Sequence, residues 1–240
     1  MELGQARTPD DMRVYAIGDI HGMDRMLAEA HGRIASDLAS RPVRDHRIVH
    51  VGDYVDRGAD SAGVIERLAR FAADDPHVAC LMGNHDELML GFLSEPARFG
   101  QDWLGNGAAA TLGSYGVAMP ETRDAAGLAK LSAYLGAAMP ETHRAFLAGL
   151  HRSVQFGDFF FCHAGIRPGI ALGSQADEDL VWIREPFLSS GRDHGAVIIH
   201  GHTPVKAPDV RPNRIDIDTG AVYGGPLTVL ALEGTDYRFL

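Results

Sequence analysis

The sequence predicts an α/β fold: two mixed β-sheets packed as a sandwich and flanked by helices. Two observations predict it. Apolar strand-like runs alternate with helical runs up to about residue 93, and strand-like runs follow one another from residue 153 onward. Alternation implies parallel pairing through right-handed crossovers, and the later strands are most simply a second sheet covering the first.

Taken in order, residues 1–11 are polar and read as a loose tail. "RVYAIGD" is a strand ending at a glycine turn, and "MDRMLAEAHGRIASDLA" has helical spacing, with apolar Met26, Leu27, Ile34 and Leu38. "HRIVHVGD" is a second strand and "SAGVIERLARFA" a second helix. "HVACLMGNHDE" is a third strand that runs into helical "ELMLGFL". Residues 94–150 are rich in Gly and Ala and read as a helical cap over the sheet. "AMPET" occurs there twice, at 118–122 and 138–142, each copy reading as a helix start with proline at the first helical position. "SVQF", "FFFCHAG", "AVIIHGHT", "RIDIDTG", "LTVLALEG" and "YRFL" follow as strands. Their short turns predict mostly antiparallel pairing.

The 240 residues fit a single domain, 1–240, with 94–150 as an insertion within it. A net charge of −10, from 22 basic and 32 acidic residues, argues against non-specific binding to nucleic acid or to an anionic membrane, which needs a basic face. An anionic substrate stays open, because bound metal ions invert the sign of a site locally. Cys80 and Cys162 lie in apolar strand-like runs and read as reduced, buried thiols. Without an apolar run of 18 residues, the expected location is the cytoplasm.

Chemistry concentrates at the strand ends. "GDIHG" (Gly18 to Gly22), "GDYVDRG" (Gly52 to Gly58) and "GNHDE" (Gly83 to Glu87) each follow an apolar run at once, with Asp19, Asp53 and Asn84 spaced 34 and then 31 residues apart. That spacing is about one βαβ unit, so the turns fall at the carboxyl edge of one sheet, where open α/β folds bind ligands. "FFFCHAG" adds His163 and "VIIHGHT" adds His200 and His202, between which spacing alone does not choose. One Gly-Asp turn is only a turn signal, but five polar turns on five strand ends are a pattern. Asp, Asn and His donors together suit two divalent ions such as Mn²⁺, Fe or Zn²⁺.

In this order, "GDIHG", "GDYVDRG", "GNHDE", "CHAG" and "HGHT" resemble the signature of the phosphoprotein phosphatase family of calcineurin-like metallophosphoesterases. The closer likeness is to the bacterial and bacteriophage lambda phosphatase branch. It extends to "DLVWIRE" (Asp179 to Glu185) and "IDTGAVYGGPLTVL" (Ile217 to Leu230). The resemblance implies that Asp19 and His21 bind a first metal, that Asp53 bridges both, and that Asn84, His163 and His202 complete the second. It implies His85 as general acid, oriented by Asp56, with Arg57, Arg184 and Asn84 on the phosphate. A hydroxide held by the two metals, Mn²⁺ foremost, would attack phosphorus directly. Asp56 could otherwise cap the next helix, and Arg57 could be a surface ion pair; Trp182 and Ile183 look like core.

The implied activity is a metal-dependent phosphomonoesterase acting on phosphoprotein at Ser/Thr, with Tyr as an extension, or on a small phosphoester. The competing activity is symmetrical diadenosine tetraphosphate hydrolysis. The 94–150 segment and the loop 166–180 would wall the groove, where Trp103 and Tyr115 could stack an adenine or serve the core. His31, His46, His77, His143, His151 and His194 lie outside any strand-end turn and read as solvated. Nothing in the sequence sets the direction of Tyr223.

Overall fold

The computed structural model describes residues 2–240. β1 (Met12–Ile17), β2 (Asp45–His50) and β3 (Val78–Cys80) pair in parallel, joined through α1 (Asp24–Ser40) and α2 (Ser61–Asp74). β9 (Val229–Glu233) and β10 (Asp236–Phe239) complete this sheet in the order β10-β9-β1-β2-β3, with β9 antiparallel to β1. The second sheet has the order β4-β5-β6-β8-β7, from β4 (Ser153–Phe156), β5 (Phe159–Cys162), β6 (Val197–His200), β7 (Asp209–Val210) and β8 (Arg214–Asp216).

Alternation of side chains along β1 explains the layering. Val14 and Ala16 enter the core between the sheets with Val49, Phe159, Phe161, Ile199 and Leu230, while Tyr15 and Ile17 face the helix layer with Leu27, Ile34, Val64 and Leu68. A one-residue slip would exchange these two sets, so the register is held by both cores at once. The outer face of the second sheet, through Phe160, Cys162 and Ile198, is covered by Leu180, Ile183 and Phe187 around α8 (Asp177–Trp182).

Several expectations change. Residues 2–11 are no loose tail: Leu3 and Ala6 are buried in the inter-sheet core, and Leu3 N–H donates to Pro212 O at 2.6 Å. The second half is not mostly antiparallel, because β5–β6 and β6–β8 are parallel pairs; residues 163–196 are long enough to cross over. The last two strands return to the first sheet.

Residues 96–148 form α4 (Pro96–Gly105), α5 (Ala108–Ser114), α6 (Ala125–Ala138) and α7 (Glu141–Ala148), which lie against α2 and α3 (Asn84–Ser94). The copies of "AMPET" diverge. Pro140 is the N-cap residue of α7, whereas Pro120 lies in a loop and α6 starts later, where the Asp124 side chain accepts from Gly127 N–H at 2.8 Å.

Candidate active site

The turns that follow β1, β2, β5, β6 and β8 meet the N-terminus of α3 at one edge of the sandwich. Their backbones are unusual. Asp11, His21, Asp53, Asp56, Arg57 and His202 are the non-glycine residues with positive φ among those described, and all but Asp11 belong to these turns. The left-handed region costs L-residues on the order of 1–3 kcal/mol each, and such strain persists only where surrounding bonds impose it. Here Ile20 and His21 N–H both donate to Asp53 O, and Gly22 N–H donates to Tyr54 O.

Two glycines make room for the carboxylates. A Cβ on Gly83 would lie 2.2 Å from Asp53 Oδ1, and one on Gly201 would lie 2.0 Å from Asp19 Oδ1. Asp86 locks the same corner: its two oxygens accept Tyr54 N–H and Gly83 N–H, each at 3.0 Å.

Asp53 stands between two groups of imidazoles. Its Oδ2 is 3.3 Å from His21 Nε2 and its Oδ1 is 3.4 Å from His163 Nε2. Asn84 Oδ1 lies 3.0 Å from His163 Nε2 and 2.8 Å from His202 Nδ1, and Asp19 Oδ2 accepts His202 N–H at 3.0 Å. Ligand atoms of Asp53, His163 and His202 fall within 4.8 Å of one another, as do those of His21, Asp53 and His85. Every one of these residues is buried.

Their electrostatics fit divalent cations. Burial lowers His21 to about 4 and His202 to about 3, so both imidazoles offer lone pairs at neutral pH. Burial pushes Asp53 upward, but His163, His85, His21 and His202 outweigh it and hold the carboxyl below its usual range. Asp19 is driven well above that range by burial and by Asp218 and Asp53. Carboxylates converging in a dry site repel unless a cation sits among them. Asp19 Oδ1 and His202 Nε2 are also buried without any hydrogen-bond partner. Orphaned buried acceptors at such a place are able to bind a metal ion.

His85 is reached from the other side. Its Nδ1 is 2.8 Å from Asp56 Oδ2, leaving Nε2 as the ring nitrogen available for proton transfer. Asp56 also accepts Trp103 Nε1–H at 3.1 Å and Thr111 Oγ1–H at 2.6 Å. It does not cap α2; Asp60 does, by accepting Gly63 N–H at 2.9 Å. Arg57 is half-buried, with Nη1 2.5 Å from His21 Nε2 and its Cζ 5.8 Å from the Tyr223 ring. That contact gives Tyr223, which is exposed, its direction. Arg184 is exposed, and its charge is felt at His163 and His202.

The two histidines of "HGHT" have different surroundings. His202 lies beyond β6 with a φ of 70° and turns inward to Asn84. His200 stays wholly buried, bonded to Gly201 O and near Arg214 Nη1 at 3.4 Å. Trp103 is wholly buried against Phe92, so it serves the core, and Tyr115 bonds His143 Nδ1 at 2.8 Å. Trp182 is not core: it is 36% exposed, and its ring centroid is 6.4 Å from that of His202. Of the six histidines read as solvated, His151 is exposed. His143 is buried, and the other four are half-buried.

Sequence reasoning missed Asp218, which burial pushes up to about 6 and which faces Asp19, Asp53 and Arg57. Its signal was present: "RIDIDTG" is one more apolar strand ending in an Asp-Gly turn. Thr111 and Trp103 were missed as partners of Asp56, because nothing local marks them. Cys80 and Cys162 are both free and buried, as expected.

A sequence model described as calcineurin-like phosphoesterase matches residues 12–232. The chain belongs to the calcineurin-like phosphoesterase family. This phosphoesterase is 28% identical to an asymmetrical bis(5'-nucleosyl)-tetraphosphatase PrpE of Anoxybacillus flavithermus, over 89% of the chain and 88% of that relative. It is also 28% identical to serine/threonine-protein phosphatase 1 of Salmonella typhimurium, over 92% of each chain. In fold it resembles the crystal structure of a putative diadenosine tetraphosphatase, with a TM-score of 0.68 and 21% identity over 98% of this chain and 97% of that one. The expected two-sheet architecture and the calcineurin-like phosphoesterase family are borne out. Among the described residues, no helix is long and apolar enough to cross a membrane.

Proposed function

We propose that this phosphoesterase hydrolyses phosphomonoesters on protein side chains, at Ser/Thr and by extension Tyr, with two divalent ions, Mn²⁺ foremost and Fe or Zn²⁺ as alternatives. Asp19 and His21 would hold one ion, Asn84, His163 and His202 the other, and Asp53 both. Bound there, the ions would lower the pKa of a water and polarise the phosphoryl oxygens. His85 Nε2 delivers a proton to the leaving oxygen, while Asp56 accepts from Nδ1 and so sets the tautomer. Arg57 and Arg184 orient the phosphate through forked N–H donors, with Asn84 beside them.

The observation that carries this reading is the placement of Asp53 between His21 and His163, with the His85–Asp56 pair bonded at 2.8 Å beside it. For the substrate, the surface around Arg184 supports a phosphoprotein. It is an open groove of about 460 Å³ lined by Arg167, Asp179 and Trp182, suited to an extended chain more than to an enclosed nucleoside.

One observation favours a second reading, hydrolysis of a dinucleoside tetraphosphate. Exposed Trp182 and Tyr223 lie beside His202 and Arg57 respectively and offer faces on which a base could stack. The relatives that support it are named asymmetrical, not symmetrical, tetraphosphatases. Mn²⁺-supported turnover on phosphoserine, phosphothreonine and phosphotyrosine peptides, measured beside diadenosine tetraphosphate, separates the two. Preference for the peptides is expected; a large preference for the nucleotide would replace the first reading with the second.

A further inference from the structure

A second cluster of histidine and aspartate side chains lies at the opposite end of the first sheet. His46, Asp75 and His77 each bring one ligand atom to within 4.8 Å of the others. Parallel pairing assembles them. Ile48 pairs with Val78, and Ile48 N–H donates to His77 O at 3.0 Å, so the start of β2, with His46, lies beside the residue that leads into β3, His77. Their rings stack with centroids 5.0 Å apart at 26°. Asp75, the C-cap residue of α2, closes the group: its Oδ1 accepts His77 N–H at 2.9 Å and lies 2.7 Å from His77 Nδ1.

The surroundings suit a cation. Asp45 Oδ1 lies 3.8 Å from His77 Nε2 and is itself paired with Arg47 at 2.5 Å. Two carboxylates thus face one guanidinium and two imidazoles. All of these residues are half-buried, which leaves solvent access while limiting side-chain freedom.

We propose that His46, His77 and Asp75 form a peripheral site for one borderline divalent ion of the Zn²⁺ type. Two imidazole nitrogens and a carboxylate are the donor set such ions prefer, and three protein ligands leave the remaining position to water. The ion would tie the C-terminus of α2 to the entries of β2 and β3. β2 spans six residues, so this site stands roughly 20 Å from the catalytic turns and takes no part in their chemistry. Its role is stabilisation of the native state by a ligand the unfolded chain does not hold.

Equilibrium dialysis against Zn²⁺ with metal analysis tests the site. Asp53→Asn disables the catalytic centre, and the protein carrying it is expected to retain one zinc equivalent that disappears when His46→Ala and His77→Ala are added. In the otherwise native chain, the two histidine substitutions should leave Mn²⁺-supported turnover unchanged while removing a zinc-induced rise in melting temperature. If the double variant folds poorly, as judged by circular dichroism, His77→Gln alone should weaken the Asp53-independent zinc at least tenfold. Equal zinc binding with and without the histidines overturns the proposal. Because the readout counts bound metal and not turnover, it stands or falls apart from the catalytic reading.

Discussion

Trp103 donates its indole N–H to Asp56 Oδ2, the oxygen that also accepts from His85. A residue of α4 therefore helps set the position of the carboxylate behind the proposed acid, and Thr111 of α5 does the same at Oδ1. Hydrogen bonds to a charged acceptor contribute about 1.5–3 kcal/mol, so Trp103→Phe should lower turnover of alkyl phosphates about tenfold or more. Aryl phosphates, whose leaving groups need less protonation, should be less affected, and metal content should not change. Equal losses on alkyl and aryl substrates would show that Trp103 supports only the fold.

His85→Asn separates the roles of acid and ligand. His85 falls within ligand distance of His21 and Asp53, yet its Nδ1 is engaged by Asp56. Turnover of a poor leaving group should nearly vanish while metal occupancy, read by metal analysis after dialysis, stays at the native level. Loss of metal would reassign His85 to the ligand set.

How far these relationships can be read from the chain depends on what carries them. Strand-end turns are local: a buried run must end somewhere, and Gly18, Gly52 and Gly83 mark where, so Asp19, Asp53 and Asn84 could be placed before any coordinates. Pairing in the second half could not, because an apolar run such as "FFFC" is equally compatible with a parallel and an antiparallel neighbour. The same holds for single side chains. Trp103 reaches Asp56 across 47 residues of sequence, and Trp182 follows two buried residues yet faces solvent. Contacts between distant segments leave no periodic trace, and they decide which polar groups meet.

Gly201 offers a test of how tightly the site is built. Its missing side chain leaves Asp19 Oδ1 the space that a Cβ would occupy 2.0 Å away. Gly201→Ala must displace either the Asp19 carboxylate or the turn that presents His202. Disturbing the support of a metal ligand costs 10–100-fold in metal affinity, and about that loss is expected in Mn²⁺ titrations followed by activity and by calorimetry. Native affinity would mean that the turn adjusts without moving Asp19.

Acid stability should depend on Asp37, far from the site. Its Oδ2 accepts from Tyr15 OH at 2.6 Å, Arg13 Nη1 at 3.0 Å and Arg238 Nη2 at 2.5 Å, joining α1 to β1 and β10. Burial pushes this carboxyl upward, but the Tyr15 and Arg238 hydrogen bonds and the Arg238 and Arg13 charges outweigh it, so its folded-state pKa lies below the usual value. A depressed carboxyl contributes stability that is full above the unfolded-state pKa, about 3.9, and is lost as pH falls through the lower folded value. Asp37→Asn should therefore cost about 1.5–3 kcal/mol at pH 7, measured by urea unfolding. The gap between the two proteins should narrow as pH drops below about 4, because the native carboxylate then loses its charge as well. A gap that stays constant down to pH 2 would mean that packing, and not the charge on Asp37, holds these elements together.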